Sequence, residues 1–257
     1  TGAVDSITTG DYNVGVGDYA LTNVTSGAQN IAVGYQSLYN NTSASYNTAT
    51  GFQALYSNTT GTQNTAVGRM ALYNNITSPQ NTAVGYNSLY SMNDAGVRYN
   101  TAVGWGSGFN TTTGYNATFI GHTAGNANTT GSGLVAVGSN ALAASTTGTQ
   151  LVAVGNQALL TNTTGSFNTA IGDIAMRLNT TGSNNTASGY NALNANTTGA
   201  NNTALGYAAG DNITTGSSNI IIGASVDAPS ATASNQLNIG NTIYGDTSTG
   251  NVGIGVV

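Results

Sequence analysis

The stretch Asn81-Thr82-Ala83-Val84-Gly85-Tyr86-Asn87-Ser88-Leu89 repeats, seventeen residues later, the stretch Asn64-Thr65-Ala66-Val67-Gly68-Arg69-Met70-Ala71-Leu72. The same phrase recurs through most of the 257 residues. Its glycine marks each repeat and stands at Gly17, Gly34, Gly51, Gly68, Gly85, Gly104, Gly121, Gly138, Gly155, Gly172, Gly189, Gly206, Gly223 and Gly240. Every step is seventeen residues except that from Gly85 to Gly104, which is nineteen. A constant period of this kind indicates coils that stack on one another.

Each repeat combines short β-type runs with turn residues. One run places Thr65 and Val67 on one face and Ala66 on the other, and a second run centres on residues 71–73. The phrase Asn-Thr-Thr-Gly, as in residues 58–61, is turn chemistry, because Gly adopts positive φ freely and Asn bonds its own backbone. Gly and β-branched residues recur too often for a helix. The sequence therefore predicts an all-β protein, a parallel β-solenoid or β-roll of fourteen coils from Gly17 to Gly240.

Two aliphatic columns are expected to form the core. One precedes the marker glycine, as at Val67 and Val84, and the other follows it by four residues, as at Leu72 and Leu89. The threonines that alternate with the valines are expected to point inward with them. The residues on the opposite face of the first run are small and apolar, and most of them are alanines that form a third column.

This alanine column predicts an oligomer. One Val and one Leu per coil bury too little apolar area to offset the entropy of ordering a whole repeat, so we expect several chains to share their alanine faces. The predicted interface residues are Ala32, Ala66, Ala83, Ala102, Ala153 and Ala170. In the alternative, alanine lines a thin two-sheet roll whose other face is solvated.

Composition excludes several function classes. Charged residues make up 4% of the chain, with no Lys and no Glu, so no basic cluster exists to neutralise nucleic-acid phosphates. No apolar run approaches the ~20 residues of a membrane helix, and Cys is absent. The aspartates are scattered and His122 is the single histidine. We therefore predict no enzyme activity, no catalytic residue, no metal and no cofactor.

Aromatic residues crowd the N-terminal half, and two interpretations are open. A sugar-binding stripe is one, because a sugar's apolar face packs on a ring while Asn and Thr supply hydrogen bonds. In the alternative, the same rings cover the core edge or cement the oligomer. The irregular stretch 94–122 adds Arg98 and the one Trp. The candidate binding residues are Tyr35, Tyr39, Tyr56, Tyr73, Tyr86, Tyr90, Arg98, Trp105 and Phe109.

The repeats at Asn64–Leu72 and Asn81–Leu89 resemble those of bacteriophage tail fibres and are similar to the shorter repeats in the heads of trimeric autotransporter adhesins. Both resemblances imply a parallel β-roll and a homotrimer. Residues 235–241 and 250–255 look like the segment before the self-cleaving chaperone of many phage fibres. Two regions follow: a solenoid over 1–223 and a degenerate last coil with a C-terminal connector over 224–257.

The expected function is a structural and adhesive fibre segment on a virion or at a cell surface, with itself and a host-surface glycan as partners and with no insertion into a membrane. Two alternatives are a self-polymerising extracellular filament subunit and an ice-binding solenoid, which needs a flat array of threonines. A carbohydrate-degrading tailspike is disfavoured for want of paired carboxylates.

Overall fold

The computed structural model describes Gly2 and residues 8–255, so the outer ends of the two predicted regions lie outside the described residues. Within them the protein is all-β, without a helix, and forms a β-solenoid of about 13 turns at a spacing of about 17 residues. The predicted all-β solenoid with its spacing of about 17 residues is confirmed, with about 13 turns in place of the fourteen coils expected. The chain divides into two compact units, residues 1–132 and 133–257.

The first unit is built from parallel strands of three residues, each paired in register with the strand of the next coil, as where Thr65 faces Thr82 and Ala66 faces Ala83. Its strands are β1 (Val14–Val16), β2 (Ile31–Val33), β3 (Thr48–Thr50), β4 (Thr65–Val67), β5 (Thr82–Val84), β6 (Thr101–Val103) and β7 (Thr118–Ile120).

The second unit continues the same pattern and then changes direction. Strands β8 to β14 pair in parallel, whereas β15 pairs antiparallel with β14 and with β16. On the edge away from β13, β14 thus pairs with a hairpin strand and not with the strand of a further coil. The strands are β8 (Leu134–Val137), β9 (Leu151–Val154), β10 (Thr169–Ile171), β11 (Thr186–Ser188), β12 (Thr203–Leu205), β13 (Ile220–Ile222), β14 (Gln236–Ile239), β15 (Ile243–Asp246) and β16 (Asn251–Ile254).

The second predicted β-run is wrong, because residues 69–74 form a turn. The marker Gly68 ends β4 with φ of 135°, and Met70 and Leu72 then adopt the left-handed region at 55° and 52°. This conformation is uncommon outside Gly and lets the neighbours Ala71 and Leu72 both point inward, which an extended strand forbids. Hydrogen bonds to adjacent coils hold it: the Met70 N–H donates to Phe52 O at 2.9 Å and the Leu72 N–H to Ser88 O at 3.0 Å.

The core contains the predicted leucine column but not the valine column. The leucines and alanines are fully buried, whereas Val16 is 55% exposed and Val67 is 36% exposed. Thr65 and Thr82, which share the face of the valines, are half-buried. The assignment of the alanine column to an oligomer surface is therefore wrong, because its members lie inside the chain with no exposed area: Ala32, Ala66, Ala83, Ala102, Ala153 and Ala170.

Buried asparagines complete the interior. The Asn64 side chain donates to Ser78 O at 2.9 Å and accepts the Asn81 N–H at 2.9 Å, and the pattern repeats from coil to coil. A second column, at the Asn-Thr-Thr-Gly corner, has Asn58 donating to Gly61 O at 3.0 Å. These side chains satisfy backbone groups that the narrow coil shields from water.

Candidate functional site

A column of stacked side chains covers one surface of the first unit, directly after each marker glycine. Its members, here called the outer column, are Tyr35, Phe52, Arg69, Tyr86, Trp105 and His122. Ring centroids lie 5.4 Å apart for Tyr35 and Phe52 and 5.1 Å apart for Trp105 and His122. The Arg69 guanidinium lies between Phe52 and Tyr86, at 5.4 and 5.2 Å from their centroids. Trp105 is 52% exposed, and Tyr86 and His122 stack on its two faces, so the column presents ring edges to solvent.

A second column, here called the inner column, lies four residues further along each coil. It contains Tyr39, Tyr56, Tyr73, Tyr90 and Phe109, which are half-buried. Successive rings are nearly parallel, with centroids 5.1 to 5.4 Å apart. This separation follows from the ~4.8 Å spacing of stacked strands. Partial burial, helped by the neighbouring Tyr56 and Tyr90, raises the pKa of Tyr73.

The residue that follows each outer-column position lies between the two columns. In the first coil this residue is Tyr19, whose ring makes edge contacts with Tyr35 at 5.9 Å and with Tyr39 at 6.3 Å. Further along, Gln53 Nε2 donates to Gln36 Oε1 at 2.8 Å. The two columns therefore enclose a groove, and these side chains form its floor.

The groove deepens beside Trp105 into a pocket of about 350 Å³. Tyr86, Trp105 and Phe109 supply aromatic walls, Gly106 forms the floor, and three amide side chains complete the lining: Asn87, Asn110 and Asn126. The Asn87 side-chain oxygen is buried without a hydrogen-bond partner. The Asn126 side chain donates to Gly106 O at 3.1 Å. The pocket thus combines flat apolar walls with amide groups, the usual make-up of a small-ligand site.

Three of the predicted binding residues meet at this pocket, namely Tyr86, Trp105 and Phe109, while the remaining tyrosines extend the columns away from it. Arg98 is not part of this surface. Its guanidinium forms an ion pair with Asp94 and lies 6.0 Å from the centroid of Tyr115. Sequence reasoning missed Gly106 and the three asparagines, although the phrase Val-Gly-Trp-Gly-Ser-Gly at 103–108 departs visibly from the repeat.

Two of the scattered aspartates, Asp211 and Asp227, come together in the second unit. Partial burial, together with a hydrogen bond to Asp211 and its charge, raises the pKa of Asp227. Asp211 also accepts a hydrogen bond from the Asn191 side chain at 2.8 Å. In the part of the chain that the structure describes, no group of three or more His, Cys, Asp or Glu side chains is placed to hold a metal ion.

Comparisons of the chain with protein-family models, with curated proteins and with solved structures give no match. Among residues 8–255 no helix is long and apolar enough to cross a membrane.

Proposed function

We propose that the chain is a structural and adhesive fibre segment, carried on a virion as part of a tail fibre or displayed outside a cell, which presents its aromatic face to a surface glycan. The observation that carries this proposal is the pair of stacked aromatic columns on a solenoid whose coils are hydrogen-bonded to their neighbours at nearly every turn. Such a scaffold holds exposed rings in fixed positions, so binding a ligand costs little ordering entropy.

Self-association is the second part of the proposal, and it uses the strand face rather than the alanines. Val14, Val16, Ile31, Val103 and Ile120 are all between 36% and 55% exposed on this face. Exposed aliphatic residues that recur on nearly every strand of one face, interrupted in the first unit by Thr50, are unusual on a free surface. A second copy carries the same column at the same spacing, so the two faces mesh in register, and a homotrimer or higher assembly follows.

Light scattering on the purified chain, read with negative-stain images and a glycan array, tests this proposal. We expect particles of about three chains that bind a subset of glycans. A monomer that binds no glycan contradicts both parts of the proposal, whereas a monomer that binds glycans removes the assembly alone.

An ice-binding solenoid is a second candidate, favoured by one observation. The threonines Thr48, Thr65, Thr82, Thr101 and Thr118 face one another in register on successive strands. They lie half-exposed on the strand face, contrary to the expectation that they point inward. The growth of ice crystals in the presence of the protein tests this function. Inhibition of growth that is lost in Thr82→Tyr supports it, and crystal growth that the unaltered protein leaves unchanged excludes it.

A further inference from the structure

We propose that the pocket at Trp105 is a binding site for one neutral pyranose ring of a glycan. This inference rests on the proposed adhesive function and names the place where the glycan binds. Three independent features carry it: the origin of the pocket, its shape and its polarity.

The pocket exists because Gly106 lacks a side chain, and the backbone does not require Gly there. Gly106 has φ of 61°, but the equivalent residues of other coils adopt the same conformation with side chains, including Gln53 at 54°, Met70 at 55° and Thr123 at 51°. A Cβ at Gly106 would meet no atom closer than 3.5 Å. The fold therefore accepts a side chain at this position. Because Gly106 has none, the space is left open as the pocket.

The groove already accepts a six-membered ring elsewhere in the same unit. Tyr19 occupies the position equivalent to Gly106, and its ring lies between Tyr35 of the outer column and Tyr39 of the inner column. Beside Gly106 the residues equivalent to Tyr35 and Tyr39 are His122 and Asn126, in the next coil, and the space next to Gly106 is open. The volume of about 350 Å³ is at the lower end of the ~300–1,000 Å³ typical of ligand pockets, which suits a ligand of one or two rings.

The polarity of the pocket selects a neutral ligand with hydroxyl groups. The lining contains aromatic rings, a glycine and asparagine amides, and no charged side chain. The Asn87 side-chain oxygen is an acceptor without a donor and is closed off from solvent, so it gains a ligand hydroxyl as donor only when its amide turns toward the pocket. A pyranose supplies hydroxyl groups for the asparagine amides of the lining and a face of C–H groups for the Phe109 ring. Phe109 stacks on Tyr90 and is followed in its column by Asn126, whereas both faces of Trp105 are covered by stacked neighbours, so Trp105 offers its edge to the ligand.

Trp105 is the single tryptophan of the chain, so its fluorescence reports on this pocket directly. The probes are methyl glycosides of glucose, galactose, mannose and N-acetylglucosamine, titrated into the full chain. We expect at least one to change the fluorescence saturably, with a dissociation constant on the order of 1 mM, since a single ring makes few contacts. A panel in which no glycoside changes the Trp105 signal overturns the proposal.

Two variants test the pocket without disturbing the coil: one fills it with a side chain, and the other removes an amide group from its lining. Gly106→Gln introduces the side chain found at the equivalent Gln53, and Asn87→Ala introduces the residue found at the equivalent Ala208, which has φ of 49°. Each is expected to weaken binding by roughly tenfold or more. The matched control is Tyr207→Ala, which removes an exposed ring in the second unit from the position equivalent to Trp105. Glycoside binding is expected to be unchanged in this variant. Circular dichroism confirms that each variant folds.

The outcomes separate the site from the wider function. If Gly106→Gln binds glycosides like the unaltered chain, the pocket is not the site. If glycan-array binding persists in Gly106→Gln, the adhesive function stands and the pocket assignment falls. If glycosides bind at Trp105 while the array shows no glycan bound, the site stands and the adhesive function falls.

Discussion

The ring of Phe119 occupies the space that a leucine side chain would need at Gly125. Phe119 stands where the preceding coil has Ala102, and a Cβ at Gly125 would collide with its ring. A Cβ at Gly108, in the coil before, would lie 2.7 Å from Phe119 Cδ2. The same exchange recurs in the second unit, where a Cβ at Gly210 would approach Ile221 Cγ1 to 3.3 Å. A large residue in the alanine column is thus offset by glycine in the leucine column.

Phe119→Ala is expected to destabilise the chain by about 3–5 kcal/mol, because the neighbouring glycines cannot fill the cavity. Gly125→Leu alone is expected to destabilise it through overpacking. The triple variant Phe119→Ala, Gly108→Leu, Gly125→Leu restores the arrangement of the other coils and is expected to recover most of the loss. Chemical denaturation measures all three, and effects that simply add would contradict the exchange.

Val67 and Ala66 give a matched test of which residue faces outward. Val67→Asp is expected to leave the fold intact, because Val67 is 36% exposed, and to lower the mass of any assembly that uses the strand face. Ala66→Asp places an unpaired charge in the core and is expected to cost several kcal/mol. Circular dichroism and light scattering distinguish the two effects. An assembly that survives Val67→Asp unchanged argues against the strand face as the contact.

Asn64 tests the contribution of the buried asparagine column. Asn64→Ala leaves the buried Asn81 N–H without its acceptor, so we expect a loss of about 1–3 kcal/mol. Ser78 O loses one of its two donors and keeps the Asn75 side chain. The adjacent, exposed Gln63→Ala is the control and is expected to change stability by less than about 0.5 kcal/mol. Equal midpoints of denaturation for the two variants would show that the column contributes no stability.

The pair Asp211 and Asp227 predicts a pH dependence in the second unit. Because the folded-state pKa of Asp227 is raised, its contribution to stability is fully present below the unfolded pKa of about 3.9 and is lost as pH rises through the folded value. Asp227→Asn is therefore expected to flatten this dependence and to stabilise the unit at neutral pH. The effect is modest, since Asp227 is exposed and salt screens the repulsion. Thermal unfolding from pH 3 to pH 7 measures it, with Asp173→Asn as control; parallel curves for Asp227→Asn and the unaltered chain would sink the prediction.

The period, the strand position and the leucine column were predictable, because a glycine that ends each strand and a leucine at a fixed distance repeat along the chain. Which face of each strand points into the core was not predictable. Ala66 and Val67 are both apolar, so alternation cannot say which one faces inward. Side-chain volume decides, since the coil is narrow enough that Ala66 and Leu72 fill it together. The pocket was missed for a related reason: the glycines at 106 and 108 are visible in the sequence, but the depth of the pocket depends on the left-handed turn at Gly106, which a predicted β-run does not contain.

The left-handed corners also dictate how such a chain acquires its structure. Residues such as Met70 and Leu72 are unfavourable by about 1–2 kcal/mol each in an isolated coil, and the carbonyl groups that compensate them belong to the coils on either side. A lone repeat therefore has no stable state of its own, and each completed coil becomes the template on which the next one forms. Folding is then a nucleation and propagation process: formation of the first coils is slow, and later coils add rapidly to the edge of the coils already formed.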